Sequence, residues 1–392
     1  MNNPIMSGRG ALEKPALTLG LMPLVDAAPL VVAQAGGYFA REGLAIELSV
    51  ERSWASIRDK LATGVLDGAQ MLAPMPLASG LGLDPLLEPT IALAALNQGG
   101  ASLCVSTPLF KRLQVQGNAS GPLDRAQALK AVIEADRGSA PPLTLAHVFP
   151  HSIHHYELRW WLASAGLRPD QDLNLVVVPP PLMLEQLRSG RIDGFYCGSP
   201  WPQLARQHDD GRLLFGKQAL WNGGPDKVFG VTARWAAAHP LTVQALLRAL
   251  IAAAVWLDDP RHHAQAADWM IAAGALNVDQ ALIVAALADI RFHSGAAGFP
   301  WRSQALWLLD QMRRWQPFDT ATQLHEVAER SYRPDLYRLA AHSLGLATPL
   351  ADYRIEGAHA ESYVCASDQG QLSLPADRFF AGKAFDPAAL RR

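Results

Sequence analysis

The chain alternates short apolar blocks with amphipathic runs, the pattern of strands and helices taken in turn. Residues 17–22 (Leu17-Thr18-Leu19-Gly20-Leu21-Met22) read as a first strand. A helix is expected from Asp26 to about Ala40, with Asp26 at its N-cap and Pro29 in its first turn. Residues 44–50 alternate as a second strand, and Ser53 can cap a helix opening at Trp54, with Ile57 and Leu61 on one face. That helix runs into Lys60-Leu61-Ala62-Thr63-Gly64-Val65-Leu66-Asp67-Gly68, a stretch the chain writes again as Gln186-Leu187-Arg188-Ser189-Gly190-Arg191-Ile192-Asp193-Gly194. The copies share a Leu, a Gly, an aliphatic residue, an Asp and a second Gly. Each ends an apolar helix at a glycine suited to a left-handed conformation, then turns through Asp-Gly into a strand, Ala69–Leu72 or Phe195–Gly198. Each strand then meets proline where a new helix can start, at Pro74-Met75-Pro76 and Pro200-Trp201-Pro202. Two lobes on one plan would produce this agreement; so would two ordinary helix–Gly–strand joints of a single α/β protein.

Between the copies, residues 91–95 read as a buried strand and Asn97-Gln98-Gly99-Gly100 as a turn rich in free backbone N–H groups. Residues 104–106 read as the crossing into a second lobe. There the pattern predicts helices at 123–135 and 154–165 and strands at 143–148 and 173–178. Residues 228–232 suit a return strand. From Pro240 onward the pattern is almost wholly helical: 242–257, 264–273, 279–287, 304–315 and 334–344. The expected organisation is a flexible start (1–15), a first lobe (16–106 and 223–349, with the C-terminal helices), a second lobe (107–222), and a tail packed on the lobes (350–392). The fold class is α/β, a two-lobe clamshell with a helical C-terminal part. Its cleft would gather strand C-termini and helix N-termini, where open α/β sheets bind ligands and where anions are favoured.

Composition narrows the classes. At 392 residues, 49% hydrophobic and 18% charged, the chain can bury a large core, and a net charge of −2 gives no case for direct nucleic-acid binding. Three dispersed cysteines (Cys104, Cys197, Cys365) make neither a disulfide framework nor a Cys-x-x-Cys site. Residues 1–14 are polar, with no apolar run of about 7–15 residues after a basic start and no early cysteine for lipid. No run of about 20 apolar residues suggests a membrane span. The expectation is a cytoplasmic protein.

Candidate chemistry concentrates at three places. His147, His151, His154 and His155 crowd a strand-to-helix joint, open to a metal site, a general base, a single donor to a cleft ligand, or plain packing. A helix starting after Pro150 and Ser152 would leave His151 outside it and spoil i, i+4 metal geometry. Lys227, in Gly223-Gly224-Pro225-Asp226-Lys227-Val228, could point a compact charge into the cleft or pair with Asp226. Trp54, opening its helix, could overhang the cleft with its N–H donor or pack in the core. No Gly-x-Ser-x-Gly, phosphate-loop or Gly-x-Gly-x-x-Gly signature occurs, so no enzyme is expected; Asp67 and Asp193 read as turn formers.

These residues resemble the nitrate-binding branch of the type II periplasmic-binding-protein superfamily. The resemblance runs through Ser53-Trp54-x-x-x-Arg58-Asp59-x-Leu61, Leu66-Asp67-Gly68-Ala69-Gln70-Met71-Leu72-Ala73-Pro74-Met75-Pro76, Phe149-Pro150 to Ala163, Ile192-Asp193-Gly194-Phe195, Pro200-Trp201, Asp226-Lys227-Val228-Phe229-Gly230-Val231-Thr232 and Arg333-Pro334-Asp335-Leu336-Tyr337. It implies nitrate contacts from Trp54, His154 and Lys227, with Leu24 supplying apolar or backbone contact. The family glutamine falls near Gln98, displaced in Asn97-Gln98-Gly99-Gly100-Ala101, so backbone N–H groups could take its role. Ser199 stands where transport members tend to carry Glu. Bicarbonate-binding relatives resemble a site assisted by a divalent cation and an extra carboxylate. With no carboxylate pair foreseen beside Lys227, nitrate or nitrite without metal or cofactor is expected. The missing export signal points to the cytoplasmic nitrate/nitrite sensors, which pair with an RNA-binding antiterminator and release it on binding the anion. A solute-capture component of an importer is the alternative, and an enzyme of the cofactor-biosynthesis type on the same clamshell a third.

Overall fold

The computed structural model describes residues 10–83, 88–117, 120–316, 318–319 and 322–390. Two five-stranded sheets form the two lobes. In the first, the order from edge to edge is Ala45–Val50, Ala16–Leu21, Gly68–Leu72, Lys227–Thr232, Thr90–Ala95. Its first three strands are parallel, and Lys227–Thr232 runs antiparallel to both neighbours. In the second the order is Gly211–Gly216, Ala101–Ser106, Gly194–Gly198, Thr144–His147, Asn174–Val177. Here the last three are parallel and Ala101–Ser106 is antiparallel to both of its neighbours.

The two written-out copies therefore occupy equivalent places. Each feeds the central strand of its sheet, with a parallel neighbour on one side and an antiparallel one on the other. The shared glycines Gly64 and Gly190 take φ of 72° and 67°, the left-handed conformation that ends each helix. The shared aspartates do more than turn the chain. The Asp67 carboxylate accepts from the Thr18 N–H at 3.0 Å while the Asp67 N–H donates to the Thr18 carbonyl at 2.9 Å. Asp193 repeats both bonds with Thr144, at 2.7 Å each. Each aspartate thus staples the start of the central strand to its parallel neighbour, which corrects their reading as turn formers alone.

Three boundaries differ from expectation. Ala101–Ser106 is a strand of the second sheet, so the first crossing lies in Asn97–Gly100 and not at 104–106. Residues 13 and 14 of the supposed flexible start are anchored: the Glu13 carboxylate accepts from the Leu241 and Thr242 N–H groups at 2.9 Å, and Lys14 pairs with Asp67. The helix expected from Asp26 begins as a 3-10 turn, Val25–Ala27, and continues as Ala28–Ala35 and Tyr38–Arg41; Asp26 caps nothing.

The C-terminal helices follow the apolar pattern, with Leu324–Ser331 in addition. Pro240–Leu257 has the length and hydropathy of a membrane span, but 67% of it is buried, packed against Ala28–Ala35 in the core beside the first sheet. The tail carries a hairpin, Tyr363–Ser367 with Gly370–Leu374. It touches both lobes: Ser303 donates to Glu356 at 2.6 Å, while Phe379 and Phe380 pack edge-on against Trp160.

The paired units allow a contrast to be tested. A Cβ at Gly194 would stand 2.8 Å from the Cys104 carbonyl oxygen and 2.9 Å from Val105, whereas nothing lies within 4 Å of one at Gly190. Gly194→Ala should cost about 1–3 kcal/mol by forcing strands apart. Gly190→Ala should cost roughly 1–2 kcal/mol, through its backbone conformation alone. Urea melts of the two variants check both figures.

Candidate functional site

The site is built around one ammonium group. Lys227 opens the return strand, its N–H donating to the Asn97 side-chain oxygen at 3.1 Å and its carbonyl accepting from Leu96 at 2.8 Å. Its side chain is wholly buried. Nζ lies 2.9 Å from Asp26 Oδ2 and 2.8 Å from Asp226 Oδ2. Asp26 also accepts from the Gln70 amide, whose own carbonyl accepts from the Met22 N–H at 2.8 Å. Trp54 opens the helix capped by Ser53, which places its ring 5.7 Å from Lys227 Nζ.

The second lobe contributes from above. Ser152 caps the helix Ile153–Ser164, accepting from the His155 N–H, and so aims His154 at the seam. His154 Nε2 lies 3.6 Å from Asp226 Oδ1, and its ring packs edge-on against Tyr196. Tyr196 donates to Glu157 at 2.7 Å, and Glu157 is in turn held by Lys217. The lobes are closed on each other: the Val25 N–H donates to the Ser199 carbonyl at 2.9 Å, and the Trp201 indole to the Pro23 carbonyl at 3.3 Å.

At this seam hydrogen-bonding capacity is left unspent. The Trp54 indole N–H and both ring nitrogens of His154 are buried with no hydrogen-bond partner among the described residues. Such groups are costly to leave unmade.

Electrostatics follow from burial and crowding. Burial, helped by the like charge of Asp226 and opposed by Lys227, pushes Asp26 from the ordinary 3.8 up to about 6. Burial also acts to raise Asp226, but Lys227, His154 and Lys217 outweigh it and hold it below the usual range. Burial would lower Lys227; its two carboxylates instead keep it well above its ordinary value. His154, with burial dominating, is pushed down to about 3 and stays neutral.

The sequence-predicted residues divide. Trp54, His154 and Lys227 converge. Leu24 is buried at the seam, 3.5 Å from where a Cβ of Gly198 would stand. Gln98 accepts from Arg291 at 2.9 Å, and its neighbour Asn97 is the residue that reaches Lys227. The other histidines have separate duties. Arg159 donates to His155 Nε2 at 2.9 Å, so His155 Nδ1 donates to His147 Nε2 at 3.0 Å and His147 Nδ1 to the Phe149 carbonyl at 3.1 Å. This chain of fixed tautomers is structural. The expectation that no carboxylate pair stands beside Lys227 is wrong: Asp26 and Asp226 both do. They lie two hundred residues apart, and Asp26 read as a helix cap. Gln70 was missed as well, although a glutamine in the wholly buried strand Gly68–Leu72 is a signal in itself.

Two consequences can be measured. Removing the ammonium strands two buried carboxylates, so Lys227→Ala should lose roughly 3–5 kcal/mol of stability, read from urea melts. Because the folded state holds the Asp26 proton more tightly than the unfolded chain, this group's contribution to stability falls as pH rises from about 4 to about 6. The stability of the native protein relative to Asp26→Asn should decline across that window.

A family model described as the NMT1-like family matches residues 10–272. The chain is 31% identical over 408 residues to the nitrate/nitrite binding protein NrtA of Synechococcus elongatus, a match covering 97% of this chain and 86% of that protein. It is 37% identical over 360 residues to the nitrate import ATP-binding protein NrtC of Synechocystis, covering 87% of this chain. It spans about half the length of that relative, 52%, and 51% of the bicarbonate transport ATP-binding protein CmpC of the same organism. Among solved structures, the periplasmic nitrate-binding protein NrtA from Synechocystis superposes with a TM-score of 0.83 at 25% identity, covering 96% of this chain and 97% of that one. The sheets and these matches agree: the chain belongs to the NMT1-like family and has the two-lobe periplasmic-binding-protein fold, like that of the nitrate-binding protein NrtA.

Proposed function

We propose that this chain binds nitrate in the seam between its lobes and serves as a solute-capture component of an importer, without catalysing a reaction. The observation that carries the proposal is the convergence of Trp54, His154 and Lys227 from both lobes, with the indole N–H and both imidazole nitrogens unspent. Nitrate is planar, singly charged and weakly basic, so neutral donors around one cation in a dry pocket suit it. The likeness to nitrate-binding proteins along nearly the whole chain supports the ligand. The relatives named for import support capture over the expected cytoplasmic sensor with its RNA-binding antiterminator.

Bicarbonate is the second reading, favoured by the carboxylates flanking Lys227 and by 28% identity over 379 residues to the bicarbonate-binding protein CmpA of Synechococcus elongatus. Isothermal titration with nitrate, nitrite, bicarbonate and sulfate, with and without EDTA, separates the ligands. One-to-one nitrate or nitrite binding that survives EDTA is expected; bicarbonate binding lost with EDTA would move the chain to the other branch. Trp54→Phe, which keeps the ring but loses the donor, should weaken nitrate binding by about 1.5–3 kcal/mol. On a sizing column, a complex with the antiterminator that nitrate dissolves would restore the sensor and sink the capture reading.

A further inference from the structure

We propose that the anion enters this site together with one proton, so that nitrate binding is coupled to proton uptake; the inference rests on the nitrate-binding reading above. Around the seam, three buried carboxylates (Asp26, Asp226 and Glu157) face two buried ammonium groups (Lys227 and Lys217), each side chain at most 1% exposed. Glu157 and Lys217 satisfy each other, with Tyr196 donating to the remaining carboxylate oxygen. Lys227 is then left to neutralise both Asp26 and Asp226. With both ionised, the site already carries one uncompensated negative charge. A monoanion closing in on the same ammonium group would add a second in a region shut off from water, where charges are poorly screened.

A single proton offsets the charge that the anion adds and returns the cluster to one net negative charge, and the geometry offers a place for it. His154 stands at the seam, Nε2 3.6 Å from Asp226 Oδ1, with neither ring nitrogen in a hydrogen bond among the described residues. As an imidazolium it would donate from Nε2 to Asp226 and from Nδ1 to the anion, which gives both unspent nitrogens a partner. Burial keeps the ring neutral there, with a pKa of about 3; negative charge on both sides would reverse that balance. Asp26, already raised to about 6 between Lys227 and Gln70, adds to the same uptake. Of the other titratable neighbours, Glu157 is also raised by burial, but Lys217 and the Tyr196 hydroxyl oppose that shift and occupy both of its oxygens. Burial raises Cys197 and Tyr196 far above neutrality, and His147, lowered to about 4, already accepts from His155. No bond in the anion breaks: the proton comes from solvent and returns on release.

The test is calorimetry of nitrate binding near pH 7.5 in phosphate and in Tris, whose ionisation enthalpies differ, so the difference in observed heat counts the protons. Uptake approaching one proton per nitrate is expected, with affinity rising toward about tenfold per unit as pH falls from 8 to 7. Asp26→Asn and Asp226→Asn each delete one negative charge, and each should bring the uptake close to zero and flatten the pH dependence. Circular dichroism confirms folding, and either variant suffices if the other folds poorly. Nitrate binding with equal heats in both buffers would overturn the coupling while leaving the binding site standing, as would uptake unchanged in the folded variants. Absence of nitrate binding in both buffers would instead overturn the functional reading beneath it.

Discussion

A buried lysine shared by two buried carboxylates is the constraint on which this structure turns. Taking an ammonium group out of water is tolerable only when opposite charge and hydrogen bonds surround it, and removing any one partner leaves another exposed to low dielectric. Here the partners come from separate parts of the chain. Asp26 follows the first strand, Gln70 sits in the central strand of the first sheet, and Asp226 lies at the end of the return crossing. The first sheet must be assembled, with its late strand inserted between two early ones, before Asp26 and Gln70 can join Asp226 around Lys227. Stability and the site are therefore the same arrangement seen twice.

The second lobe is tied to this arrangement through His154 and through the seam bonds of Val25 and Trp201. A hinge that opens the cleft would break these contacts and admit water to the cluster, and an anion touched from both sides would favour the closed state. The tail bears on the return crossing as well. The Trp221 indole donates to Asp377 at 2.9 Å, and the Gly223 carbonyl accepts from Gln304 at 2.9 Å, so the chain just before Asp226 is held by the tail and by a C-terminal helix of the first lobe. The segment that leads to the lysine is thereby braced by both the tail and the first lobe.

The four clustered histidines show how residue type alone underdetermines role. His147 and His155 are locked in a chain ending at Arg159, which fixes their tautomers, while burial, helped by the Arg159 charge, keeps them neutral. His151 stands ahead of the helix, as Pro150 and Ser152 imply. Only His154 faces the seam with both nitrogens unspent. Helical periodicity sends adjacent residues about 100° apart, so His154 and His155 had to point to different places; which of them met the cleft depended on the sheet beneath the helix.

The amino-acid sequence by itself determined the local elements and the doubled plan. Left-handed glycines, Asp-Gly turns, caps at Ser53 and Ser152 and apolar periodicity act within a few residues, so they are readable from the chain. Its resemblance to the nitrate-binding branch also singled out Trp54, His154 and Lys227 as candidates. Tertiary structure decided what surrounds them. Asp26 looked like a helix cap because a cap is a local role; its partnership with Lys227 spans two hundred residues and exists only once the return strand is inserted beside Gly68–Leu72. Likewise Ala101–Ser106 has the same apolar pattern whichever sheet it joins, and only the backbone pairing with Gly194–Gly198 assigns it to the second. Charge neutralisation and strand partnership are long-range energies, carried by pairs of residues that no local pattern connects.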